Sequence, residues 1–527
     1  MSRVRNVVVL VADQLRADHL GFGGGPLATP HLDALAASST VFEQAYVANP
    51  TCMPNRSTIA TGRWPTAHGT RTNGVTLDWD AETFMRSMQR AGWRTGAVGK
   101  LHFQTMGWPY EPHQIEEIQR RCPEVLDPGL PDAAGRRRTP GWDQWEDAAR
   151  HQKRYLPMPA DYYGFDDVDL VVGHGDRPSG HYPHWARERG LDPETVRVMA
   201  DAPVGFDGWD QVYQSEVPVD LHPTSYVTEK ALARLERYAA TPDPFLLFVS
   251  YPDPHHPFAP PGDFWHLVDP QAVELPDTFF DGHERSPAHV RHMVAERGRP
   301  AADPTMTWSP TEEQYRAALS AELGLVALLD QSVGRILRRL DELGLAEDTA
   351  VVFTSDHGDL FGDHGLMLKH FVHYRGVTRV PLLVRLPGAS PRRSDALVSS
   401  ADIAPTLLGL GGLPRYRGIQ GIDLSDVVTG RTADVREALL VEEDQPFGVE
   451  GLLGPVRMRT VLTREARLTV YAGMPTRELY DLTADPTESE NLAGTPDGAA
   501  LEATMLGHLV EGLAEVADTG VRPVASA

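Results

Sequence analysis

Two cysteines, Cys52 and Cys122, are all that this 527-residue chain contains. A disulfide framework is therefore excluded, and the fold must rest on a packed core. Positive charge is also scarce: 49 Lys and Arg stand against 73 Asp and Glu, a formal net charge of −24. Binding a phosphate backbone as the main task needs a basic footprint, so no nucleic-acid partner is expected. The apolar run Asn6–Ala12 stops at Asp13. It is far shorter than the ~20 residues of a membrane helix, and it lacks the cleavage site of a secretion signal. A cytoplasmic protein with no membrane partner is the expectation.

What is present is ordinary for a globular protein, with 41% hydrophobic and 23% charged residues. The length suits two or three domains, or one large α/β domain with an appendage. An acidic chain can still hold an anionic substrate, but only in a local pocket of Lys, Arg, His and metal. The charge alone thus directs attention to clusters of those residues.

Short β-branched runs at Val7–Val11, Thr95–Val98, Phe245–Val249, Ala350–Thr354 and Val380–Arg385 each end in polar residues. Continuous rather than alternating apolar runs indicate strands buried on both faces, hence a large, mostly parallel α/β sheet sandwiched by helices. Pro310–Leu343 carries apolar residues at helical spacing, such as Leu323, Val326, Leu329 and Val333. Sites in such sheets lie beyond the carboxyl ends of the strands. Residues 108–225 are rich in Pro, Gly, Trp, Tyr and Asp and predict an insertion or lid within a catalytic domain spanning 1–430. Its Gly173-His174-Gly175-Asp176 and Gly180-His181-Tyr182 segments suggest a pocket for an aromatic or small polar alcohol. Residues 431–527 predict a small C-terminal α+β subdomain. Its antiparallel sheet is expected from strands near Ala438–Glu442, Met458–Thr463, Leu468–Tyr471 and Glu478–Asp481.

Three polar constellations follow predicted strands or open a predicted helix. Pro54 suits a first helical turn, which places Cys52 at a helix N-terminus where free N–H groups attract anions and lower a thiol pKa. Arg56, one turn on, can point back to the same place. The alternative is a buried structural thiol, the reading that also suits Cys122. Asp13-Gln14 offers a carboxylate and an amide oxygen to a hard cation, or a helix cap. Asp356-His357-Gly358 offers one oxygen and one nitrogen ligand and a close backbone turn.

Cys52-x-Pro54-x-Arg56 with Thr61-Gly62 resembles the signature of the type I sulfatases, a family of the alkaline phosphatase superfamily. Asn55 and Ala60 depart from it, standing where the family usually has Ser or Ala and a larger apolar residue. Asp13-Gln14 and Asp356-His357 resemble the metal site of the branch containing phosphonate monoester hydrolases and choline-sulfatase-like enzymes. Gly99-Lys100-Leu101-His102 resembles the G-K-x-H element. Pro254-His255-His256-Pro257-Phe258 resembles the P-H-x-P-F element, with the choice between His255 and His256 open. Glu478-Leu479-Tyr480-Asp481-Leu482-Thr483-Ala484-Asp485-Pro486 and Glu490-Asn491-Leu492 are similar to the family's ending.

The resemblance implies an alkaline-phosphatase-like fold and hydrolysis of sulfate monoesters; a phosphonate monoester or phosphodiester at the same site is the second reading. It implies Cys52 oxidised to formylglycine by a formylglycine-generating enzyme, with Asp13, Gln14, Asp356, His357 and the modified residue 52 around one divalent ion. Calcium, manganese and zinc are all admitted by that donor set. Arg56, Lys100, His102, His255 and Lys369 become catalytic candidates. Asn73, Lys100, His255 and Lys369 become contacts to the transferred group. Association with a second copy of the chain is left open.

Overall fold

The computed structural model describes residues 4–110, 112–121, 127, 129–130, 140–191, 209–301, 303, 305–446, 448–449 and 455–521. Cys122 lies outside them. Nine strands form the main sheet: β1 (Asn6–Ala12), β2 (Thr40–Tyr46), β3 (Arg94–Lys100), β4 (Asp167–Val172), β5 (Ser179–Gly180), β6 (Phe245–Ser250), β7 (Thr349–Ser355), β8 (Leu382–Arg385) and β9 (Arg392–Ser399). Their spatial order is β5-β4-β3-β6-β1-β7-β8-β2-β9. The run β4-β3-β6-β1-β7 is parallel throughout, while β5 and β8 pair antiparallel to their neighbours.

Strand β1 shows why its sequence is uninterrupted valine and leucine. Val7, Val9 and Val11 join one apolar cluster, with Phe84, Met88 and Leu407 from helices on that side. Val8 and Leu10 join the other, with Tyr226, Leu235, Val326 and Val333. Period-2 alternation sends successive side chains to opposite faces, and helices cover both, so every position must be apolar. Each fully buried valine or leucine contributes about 1.5–3 kcal/mol relative to exposure.

The 31-residue helix Glu312–Glu342 opens on a capping box, Thr311 with Gln314, and packs across the Pro223–Ala239 helix. Four further strands, β10 (Leu439–Gln445), β11 (Val456–Leu462), β12 (Ala466–Tyr471) and β13 (Arg477–Asp481), form an antiparallel meander. The helix Ala499–Glu515 covers it through Met505 and Leu509.

One expectation is incomplete. The segment read as an insertion also supplies β4, an internal strand of the main sheet, with Tyr162, Tyr163 and Phe165 buried beside it. Its sequence, DVDLVV, places acids between the first apolar residues, so the run is too short and mixed to stand out. Asp167 and Asp169 are answered by Arg234, which donates to the Asp167 carbonyl and pairs with the Asp169 carboxylate.

Candidate active site

Four adjacent parallel strands, in the order β3-β6-β1-β7, deliver the polar groups, each from its carboxyl end. Lys100 closes β3, Ser250 closes β6, Asp13-Gln14 follows β1, and Asp356-His357 follows β7. Close approach of these chain ends needs glycine at two places. Gly99 has φ +103°, and a Cβ there would stand 1.8 Å from the Ser250 carbonyl oxygen. A Cβ on Gly358 would stand 2.1 Å from the Gly376 oxygen.

Cys52 is the first residue of the helix Cys52–Thr61 and is buried. Its Sγ lies 3.0 Å from His357 Nε2 and 3.9 Å from Asp13 Oδ1. His357 Nε2 is in turn 3.6 Å from both Asp13 Oδ1 and Asp356 Oδ1. The ligand atoms of Asp13, Cys52, Asp356 and His357 all fall within 4.8 Å of one another. Two carboxylates, an imidazole and a residue-52 side chain fit a divalent cation of hard to borderline character. Burial pushes the His357 pKa down to about 4, leaving the neutral form that ligates metal. Burial pushes the Asp356 carboxyl up, but Arg56 and His357 outweigh it and hold it well below the usual range. Burial also pushes the Cys52 thiol up, which is unfavourable for a thiolate nucleophile.

Gln14, at φ +64°, reaches the same place differently from expectation. Its backbone N–H donates to Asp356 Oδ1 at 3.1 Å. Its amide oxygen, which the resemblance directs at the ion, accepts from Lys369 Nζ at 2.6 Å. Its amide nitrogen donates to Asp359 Oδ2 at 2.6 Å and to His256 Nδ1 at 3.1 Å.

Arg56 is buried and bound to the Asp13 and Asp356 carboxylates. Its Nε donates to Asp356 Oδ2 at 2.7 Å, and Nη2 lies 3.4 Å from Asp13 Oδ2. Nη1 donates to the Lys100 carbonyl at 2.8 Å and to Ser250 Oγ at 2.7 Å. One guanidinium thus ties the Cys52 helix to the ends of four strands. Asn55 is explained on the same helix: its amide donates to the Asp356 carbonyl at 2.5 Å and accepts from Ser400 Oγ at 2.6 Å.

Lys100, fully buried, pairs with Asp13 Oδ2. Lys369 Nζ donates to His255 Nε2 at 2.7 Å. Lys369 is held in a backbone that few side chains choose, with Leu368 at φ +68°, His370 at +95° and Phe371 at +68°. Thr307 Oγ1 donates to the Lys369 and His370 carbonyls at 2.5 and 2.8 Å, and Leu368 N donates to Asp359 Oδ1 at 2.9 Å. Strain of this kind persists only where such contacts over-determine it. His255 and His256 are both buried and stacked 4.0 Å apart. Burial pushes both imidazoles well below their ordinary pKa. His102 is placed by backbone N–H groups of residues 102–104 donating to Glu146; burial and the neighbouring Lys100 hold it neutral. Asn73 Oδ1 accepts from Met53 N at 3.2 Å, beside the helix start.

His174 is the residue whose role sequence reasoning missed, although its Gly-His-Gly setting drew notice. Lys100 Nζ donates to its Nε2 at 2.5 Å, and its ring stacks on His255 at 3.6 Å and 12°. It groups with Asp13, Cys52 and His255 within 4.8 Å. His181, singled out alongside it, is instead a brace, bonded to Leu170 N and the Leu156 carbonyl. A second missed group is Glu443 on β10, which accepts from His370 and His373 at 3.1 Å each, while His370 Nδ1 lies 3.5 Å from Thr51 Oγ1. The C-terminal sheet thereby reaches the residue before Cys52.

The family profile described as Sulfatase matches residues 5–413. The chain belongs to the sulfatase family. A second profile, described as N-sulphoglucosamine sulphohydrolase, C-terminal, matches residues 362–515 of this sulfatase. The ulvan-active sulfatase of Formosa agariphila is 26% identical over 97% of this chain and 82% of its own length. The choline-sulfatase of Rhizobium meliloti is 26% identical over 95% and 84%. The phosphonate monoester hydrolase of Silicibacter pomeroyi superposes with a TM-score of 0.76, at 24% identity, covering 98% of this sulfatase and 96% of that chain. That likeness establishes a shared alkaline-phosphatase-like fold.

Proposed function

We propose that this sulfatase hydrolyses sulfate monoesters, R–O–SO3⁻, at Cys52 after its conversion to formylglycine, with Asp13, Asp356 and His357 holding one divalent ion. The observation that carries the reading is the placement of Cys52 Sγ between the ligand group and a set of cations, 3.0 Å from His357. The aldehyde hydrate would supply one hydroxyl as the oxygen nucleophile, and a second whose deprotonation restores the C=O and expels sulfate with the first oxygen. The ion supplies positive charge at the attacked group, and calcium suits the oxygen-rich donor set best.

The chain's own groups have separable tasks. Lys100 and Lys369 offset charge on the equatorial sulfate oxygens, a contribution that usually dominates such transfers. Arg56 holds Asp13 and Asp356 in place. Lys369 and His255 share one hydrogen bond, and either can hand a proton to the leaving alcohol, His255 by relaying the one that Lys369 donates to its Nε2. His102, neutral and buried, is suited to remove a proton when sulfate leaves. Burial of every one of these groups excludes bulk water, which strengthens their fields.

The test is mass spectrometry of the tryptic peptide Ala17–Arg56, together with turnover of 4-nitrophenyl sulfate and 4-nitrophenyl phenylphosphonate. Formylglycine at position 52 and a higher kcat/KM on the sulfate support the reading. Turnover by protein whose Cys52 remains fully alkylatable would sink the nucleophile assignment. A higher kcat/KM on the phosphonate would move the substrate to the second reading.

A further inference from the structure

A cavity of about 210 Å³ adjoins the site on the side of the 108–225 segment, lined by Trp108, His174, Arg177, Gln211, His256 and Thr305 among others. His174 and His256 form its inner wall, and both belong to the hydrogen-bonded group around Lys100 and Gln14. The cavity and the site thus have the His174 and His256 side chains as a common wall.

Two features of the outer wall are specific. Trp108 is 59% exposed, unusual for so large an apolar side chain, and its ring sits 6.2 Å from that of His174. Arg177 keeps 30% of its side chain exposed. Its guanidinium carbon lies 5.3 Å over the Tyr213 ring. Its nearest carboxylate, Asp176, is 3.5 Å away and already accepts hydrogen bonds from Tyr213 and Ser215 at 2.7 Å each. No Asp or Glu lines the cavity among the described residues.

We infer that this cavity receives the alcohol part of the ester and that Arg177 selects an alcohol carrying a second anionic group, on a ring laid against Trp108. The inference rests on the sulfatase reading of the site. A guanidinium fork matches a carboxylate or sulfate in two-point contact, and the Tyr213 ring beside Arg177 limits the positions it can take. The flat indole offers apolar area to a ring while leaving polar substituents to Gln211 and Thr305. A quaternary ammonium alcohol would gain the Trp108 face but meet the Arg177 charge, with no carboxylate lining the cavity among the described residues to answer it.

The test compares kcat/KM of the full-length enzyme for 4-nitrophenyl sulfate, choline O-sulfate and two matched pairs. The first pair is 2-O-sulfated glucuronate against 2-O-sulfated glucose. The second is N-sulfoglucosamine 6-sulfate against N-acetylglucosamine 6-sulfate. At least one pair is expected to favour the doubly anionic member by roughly tenfold or more, which distinguishes a carboxylate from a sulfate as the second group. In Arg177→Gln that ratio should collapse toward unity, while Trp108→Ala raises KM for both members of the favoured pair. Ratios below threefold in both pairs, an unchanged ratio in Arg177→Gln, or a preference for choline O-sulfate overturns the inference while leaving the sulfatase reading intact. Failure on every sulfate ester, 4-nitrophenyl sulfate included, overturns both.

Discussion

Arg56 Nε donates to Asp356 Oδ2 at 2.7 Å, and neither side chain is more than 2% exposed. The pair joins the Cys52 helix to the end of β7 and answers the charge of the Asp356 carboxylate. Removing one partner of a buried pair leaves the other uncompensated, at a cost of about 3–5 kcal/mol. Arg56→Met should therefore lower the unfolding free energy of the metal-free protein by that amount, measured by urea denaturation. Saturating calcium should reduce the loss, because the ion supplies charge to the same carboxylates. Arg56→Lys should not restore stability, since an ammonium cannot also reach the Lys100 carbonyl and Ser250 Oγ in the guanidinium geometry.

Cys52→Ala and Cys52→Ser should each lower kcat by at least ~10³-fold, because a methyl group cannot be oxidised to the aldehyde and a hydroxyl is not the thiol on which the expected formylglycine-generating enzyme acts. The melting temperature should stay close to that of the parent, since Sγ makes only two polar contacts. Steady-state turnover of Cys52→Ala at the parent rate would refute the mechanism.

His255 and Lys369 share one hydrogen bond, and leaving-group dependence separates their tasks. A general acid matters most when the departing alkoxide is basic, contributing about 10²–10⁴-fold. His255→Ala should lose that factor on an alkyl sulfate and far less on 4-nitrophenyl sulfate. Lys369→Met should slow both esters alike, because its charge acts on the sulfate oxygens. Equal losses on both esters in His255→Ala would assign the proton to Lys369.

Glu443 links acid stability to the site. Burial pushes its carboxyl up, but hydrogen bonds from His370 and His373 outweigh this and hold it below the usual range. A carboxyl depressed in the folded state contributes stability that is complete above its unfolded value of 4.5 and is lost as pH falls below it. The melting temperature should therefore drop between pH 6 and pH 3.5, by about 4–8 °C per kcal/mol lost in a small domain and less in a chain of this length. Glu443→Gln should lower the melting temperature at pH 7 and flatten that acid slope; an unchanged slope would show that Glu443 does not carry it.

Legibility in the sequence followed locality. Asp13-Gln14, Cys52, Lys100 and Asp356-His357 could be found because each sits at the end of a continuous apolar run or at a helix start, features set by neighbouring residues. The strand Asp167–Val172 is hidden because Arg234, the partner charge of its Asp169, lies on a helix 65 residues later. His174 looked like any histidine in a glycine-rich loop, and only packing shows its ring on His255 and its nitrogen at Lys100.

The sequence by itself determined the class of sheet, the family and most of the polar groups at the strand ends, because hydrophobic periodicity and short motifs act within a few residues. Tertiary structure alone decided what each group faces. It bound Arg56 to two carboxylates, turned the Gln14 amide oxygen to Lys369, brought Glu443 behind Thr51 and opened a cavity beside Arg177. Those outcomes depend on chain segments tens to hundreds of residues apart meeting at one end of a sheet, where charge, distance and burial are properties of the assembled fold.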